Sequence, residues 1–197
     1  MGSPQMTLSG NVRAAMSVTA LKNFDMATGS VALSSNWSLT VDSAAAGMTS
    51  DVLWQSDGTL AASASTTIDL AGTAAGDPKD YWGADAEFDR VHAVLVKNTT
   101  AAAAPGESII EVGGGSDGAG TSAFVWLFGG AADTLKLAPG GFVVSSHGQD
   151  GGWGVTDSSA DVLRLVNLDA SNAATYEIVV IGESPTSAST TTTTSAP

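Results

Sequence analysis

The chain has 197 residues, enough to close one self-sufficient core, and its 20 Asp and Glu against 7 Lys and Arg give a formal net charge of -13. That balance repels phosphate backbones and weighs against nucleic-acid binding through a basic face. The absence of Cys removes thiol catalysis, thiolate metal sites and a disulfide scaffold, and no run reaches the ~20 apolar residues of a membrane helix.

Only 14% of residues are charged, so the remaining polarity is carried by Ser, Thr, Asn and Gly, which make neutral surfaces suited to packing against neighbours. Met1 to Met16 has no apolar signal-peptide core and Arg13 is its only basic residue, which predicts a chain made and kept in a cytoplasm until something moves it. Met1 to Asn23 is polar with weak periodicity and fits either an arm over a neighbour or a disordered leader. Strand signals follow. Trp37, Leu39 and Val41 alternate with Ser38 and Thr40, and Asp51 to Gln55 and Thr66 to Leu70 continue the pattern. Glu87 to Lys97 is the best central strand, with Val91, Ala93 and Leu95 on one side and Phe88, His92, Val94 and Val96 on the other, so burial on both faces is expected. The alanine runs at 44–46 and 101–104 are short, sit beside Gly or Pro, and read as loops.

Four more strands are expected between Asp133 and Gly182. Thr134 to Ala138 is broken by Pro139-Gly-Gly141, Phe142 to Val144 leads into the glycine-dense run 148–154, and Asp161 to Leu168 and Thr175 to Ile181 flank the polar turn 169–172. The last two are predicted to pair as a hairpin, with Leu163, Leu165, Ile178 and Val180 facing the core. From Pro185 to Pro197 the chain is Ser/Thr/Pro-rich and too polar to form a core, so it is either disordered or extended against another subunit. The organisation is an arm over 1–23, a β-domain over 24–184 and a tail over 185–197.

Candidate chemistry is sparse. Gly114 to Gly118 matches G-x-S-x-G around Ser116, with Asp133 and His147 following in the chain order of an α/β-hydrolase triad, but no amphipathic helix follows the serine and no alternating β and α units surround it. Gly113 to Asp117 resembles a single turn of a calcium-binding β-roll, whose coordination shell needs stacked repeats. His92 and His147, the two imidazoles, lie far apart in sequence and read as a sheet residue and a solvated loop residue, without a shared zinc. Asn36 and Asn98 match the glycosylation sequon without a secretory signal. Trp37 and Trp126 sit in apolar strand contexts and read as core. Trp82, beside Tyr81, and Trp153 sit in turns, where exposed aromatics build protein interfaces or stack on sugars. No catalytic, cofactor or metal residue is assigned.

Thr59 to Gly72, Phe88 to Asn98, Asp133 to Gly141, Ala160 to Leu168 and Thr175 to Gly182 together resemble, in order and spacing, a family of small structural proteins of tailed bacteriophages. In that family a Pro-Asp-x-x-Gly-Tyr-like loop commonly follows the Pro-Gly-Gly turn; here Ser145 to Gly154 replaces it. The resemblance implies an all-β protein, a single sandwich of jelly-roll type with extended terminal arms. It also implies a capsid decoration or cement role on the outer surface of a virion, assembled in the host cytoplasm, with the major capsid protein and copies of the chain itself, as a trimer, for partners. Trp82, Trp153, Tyr81, Pro185 and Pro197 are then the interface candidates. A tail, baseplate or head-fibre adhesin binding host glycan through Trp82 and Trp153 is the alternative, and a small serine hydrolase the remote one.

Overall fold

The computed structural model describes residues 9–24, 27–42, 50–72, 78–79, 83, 85–101, 107–114, 124, 128–130, 132–147 and 151–185. Among them there is no helix, and eleven strands form three antiparallel sheets. β1 (Ser9–Phe24) and β2 (Ala27–Asp42) make a two-stranded ladder in register from Ser9 with Asp42 to Phe24 with Ala27. Most of the segment read as an N-terminal arm is therefore a strand, and its partner belongs to the segment assigned to the β-domain.

The other nine strands form the body. They are β3 (Val52–Leu60), β4 (Ser65–Asp69), β5 (Arg90–Asn98), β6 (Ile110–Gly114), β7 (Thr134–Leu137), β8 (Phe142–Ser146), β9 (Trp153–Gly154), β10 (Val162–Asn167) and β11 (Ala174–Glu183). One sheet runs β4-β10-β6-β7; the other runs β3-β11-β5-β8, with β9 also pairing β5. Every strand from β4 to β6 lies in the sheet opposite its predecessor, as do β8, β10 and β11. The inner faces meet in one apolar cluster: Leu163, Leu165, Ile110 and Val112 from one sheet, and Ile178, Val180, Val94 and Val96 from the other, are essentially inaccessible. The architecture is sandwich-like all-β.

β5 is interior, between β11 on one side and β8 and β9 on the other, and Val91 to Val94 are all buried, as two-faced apolarity predicts. The core-facing residues of β10 and β11 are also those the alternation predicts. Their pairing is not. β10 and β11 lie in different sheets, β10 between β4 and β6 and β11 between β3 and β5, so residues 168–173 form an arch rather than a hairpin. Period-two alternation specifies which side of a strand is buried but not which strand lies beside it, and two strands facing each other across a core carry the same pattern as two paired in one sheet.

Polar side chains close the arches. Asn167 is buried at the end of β10, and its Nδ2 donates to the carbonyls of Ala61 (3.0 Å) and Asn172 (2.8 Å), joining the β3–β4 arch to the β10–β11 arch. Asp169 accepts from the backbone N–H groups of Ser171, Ser108 and Asn172, which hold its carboxyl well below the usual carboxylate range. Asn98 is likewise buried, donating through Nδ2 to the carbonyls of Ser108 (2.8 Å) and Leu137 (2.9 Å). It is a structural clip, and its sequon offers no accessible amide. At the opposite end β11 is bulged between Ile181 and Gly182, where a Cβ on Gly182 would run into the Arg90 carbonyl oxygen and the Phe88 ring.

Leu165→Ala or Ile178→Ala is expected to cost about 2–5 kcal/mol in denaturant unfolding, since each empties a fully buried site. Asn167→Ala is expected to cost about 1–3 kcal/mol because it removes a buried amide that serves the backbone of two arches; parent-like stability would show that the arches close without the amide.

Candidate functional site

The outer face of the five-stranded sheet is also apolar. Ile178 and Val180 point inward, so Val179 and Ile181 point outward; in register beside them lie Gln55 and Leu53 on β3 and Leu95 and Ala93 on β5, with Val144 opposite Leu95 on β8. Leu53, Leu95, Val144, Val179 and Ile181 are half-buried, and the smaller Ala93 is sunk beneath its neighbours. Together Ala93, Val94, Leu95, Val144, Val179 and Ile181 line an open depression of about 110 Å³. Small-molecule pockets run to about 300–1,000 Å³, so this one is suited to a single apolar side chain offered by a partner.

The rim is polar except at one point. Glu177 and Lys97 pair in register along the next row, Asp57 stands opposite Glu177 on β3, and Gln55 Nε2 donates to Glu177 Oε1 at 3.3 Å. Phe142, in register with Lys97, is 63% exposed, the most exposed large apolar residue among those described. An apolar centre with a charged border and a projecting aromatic is the anatomy of a protein contact surface.

At the far end of the same sheet lies a buried polar pair. Ser50 Oγ and His92 Nδ1 are 2.7 Å apart, and both residues are essentially inaccessible. Burial holds the His92 imidazole below its ordinary pKa of 6.5, assisted by Arg90 and His147 and opposed by Glu183 and Asp51. Gly152, with φ of +54°, lies against this ring, and a Cβ there would meet it. Asp51 is engaged elsewhere, its carboxylate accepting from Ser184 N (2.7 Å) and Ser184 Oγ (2.6 Å). A serine sealed beside a histidine in this way is a structural hydrogen bond, because a nucleophile must reach its substrate.

The residues singled out in the sequence are dispersed. Asp133 precedes β7 in the four-stranded sheet, whereas His147 follows β8 in the other; Ser116 lies outside the described residues. Trp82, Tyr81, Trp126 and Pro197 lie outside them as well, as do the side chains of Asn36 and Trp37. Pro185 is described and exposed. Trp153, read as an exposed turn residue, is instead half-buried in β9 and pairs with Val91, its ring edge-on to Phe124 (centroids 6.5 Å) and His147 (5.6 Å). The glycines on either side are what made it look like a turn; the pairing with β5 is non-local. His147 is correspondingly half-buried rather than solvated. Sequence reasoning missed the Ser50–His92 pair, since 42 positions separate its members and neither carries a motif. The outer apolar face did leave a signal, because 178–181 is apolar at every position.

Because the folded state resists the proton that the unfolded chain accepts at His92, the stabilisation from neutral His92 is complete above about pH 6.5 and is lost as pH falls below it. Urea unfolding between about pH 8 and pH 5, where histidine is the side chain that ordinarily titrates, is expected to show falling stability on acidification, with a shallower dependence in His92→Asn. Equal slopes in the two proteins would show that His92 is not the group responsible.

Comparison with known proteins finds no matching family, no matching curated protein and no matching solved structure.

Proposed function

We propose that the chain is a virion structural protein, a capsid decoration or cement protein of a tailed phage, whose body is a jelly roll that docks on the major capsid protein through the outer face of its five-stranded sheet. The observation that carries this reading is the strand order. Leaving aside the β1–β2 ladder and the two-residue β9, the eight strands in chain order form sheets 1-8-3-6 and 2-7-4-5. This is the order in which a jelly roll folds its two Greek keys, an architecture shared by viral capsid and lectin domains. The likeness to small phage structural proteins supports the same reading, and the apolar, aromatic-tipped outer face supplies a surface for a shell. The function is passive: each copy buries apolar area against the shell, and repetition over a symmetric particle turns modest contacts into high avidity. No reaction step is assigned.

Lectins share the architecture, which keeps the glycan-binding adhesin as the second reading. It requires an open aromatic face, and Trp153 is instead wedged between Phe124 and His147. That environment favours a structural role for this residue.

Quantitative mass spectrometry of purified particles is expected to find the chain at hundreds of copies, in fixed ratio to the major capsid protein. A handful of copies would move the assignment to the tail. Phe142→Asp is expected to lower occupancy on particles at least tenfold while leaving thermal unfolding unchanged; full occupancy would place the contact elsewhere.

A further inference from the structure

The β1–β2 ladder is amphipathic along its length. Its register pairs even positions of β1 with odd positions of β2, so Val12 with Leu39, Ala14 with Trp37 and Val18 with Leu33 fall on one face. Asn11 with Thr40, Arg13 with Ser38 and Ser17 with Ser34 fall on the other. On the first face only Ser35 and Lys22 interrupt the apolar and glycine positions. Such a ribbon is not self-sufficient, because a two-stranded ladder has no second layer to cover its apolar side and is marginal at best in water.

We infer that this ribbon is a self-association element, its apolar face covered by the same face of a second copy of the chain. Dimensions select that occupant. At 16 residues per strand the ribbon is about 50 Å long, whereas β11, the longest strand of the body at 10 residues, is about 33 Å. The body's own outer face would leave part of the ribbon uncovered; an identical ribbon matches it in length, width and polarity. Two strands about 5 Å apart over that length present on the order of 500 Å² per copy. A face-to-face pair then buries about 1,000 Å², the lower bound for a biological interface. The polar faces remain outward, and the contact is self-complementary, as closed symmetry requires. This inference stands independently of the virion reading, since it is tested on the isolated protein.

The full-length chain is expected to sediment as an oligomer at about 100 µM, a concentration well above the micromolar affinities typical of modest interfaces. The double variant Val18→Asp with Leu33→Asp should sediment as a monomer with parent-like thermal unfolding of the body, whereas Ser17→Asp with Ser34→Asp should remain oligomeric. The chain has no Cys, so single cysteines give a second readout that does not depend on folding of the charged variants. Met16→Cys, on the apolar face at mid-ribbon, should form disulfide-linked pairs under mild oxidation by oxidised glutathione, at least tenfold faster than Ser17→Cys on the opposite face. A monomeric parent, an oligomer unaffected by the aspartates on the apolar face, or equal cross-linking of the two cysteine variants would overturn the inference.

Discussion

The body depends on buried amides at one end of the sandwich. When successive strands cross from one sheet to the other, the backbone of each arch leaves its ladder at the point where it passes the core, and its polar groups need partners that no neighbouring strand supplies. Asn167 joins two arches through one side chain, Asp169 collects three N–H groups, and Asn98 binds the carbonyls that precede β6 and end β7. With these groups satisfied, Leu163, Leu165, Ile178 and Val180 can close a dry core without leaving polar backbone buried and unpaired.

The two ends of the five-stranded sheet solve the same problem differently. At the end where β5 begins, Ser50 answers the only buried imidazole among the described residues, and the bulge at Gly182 lets the Arg90 backbone approach closely. Ser50 and His92 are thereby held in a structural contact. The apolar surface left on the sheet lies outside, at Leu53, Leu95, Val144, Val179 and Ile181. Burial of that area by another molecule would be favourable, and the proposed assembly role rests on it.

The sequence by itself determined the class of structure and the inward-facing residues. Alternation at Val162 to Val166 and two-sided apolarity at Val91 to Val96 are local properties, set by the period of an extended chain and legible without knowing any neighbour. The outer apolar face was legible in the same way, in the unbroken run 178–181. Tertiary structure alone decided which strands pair: β10 and β11 face each other across the core instead of forming a hairpin, and Trp153 joins β5 instead of projecting from a turn. It alone brought Ser50 to His92 and Asn167 to the β3–β4 arch. Pairing and long-range hydrogen bonds join residues tens of positions apart, and the energy that selects among competing partners arises only when the whole core is closed at once.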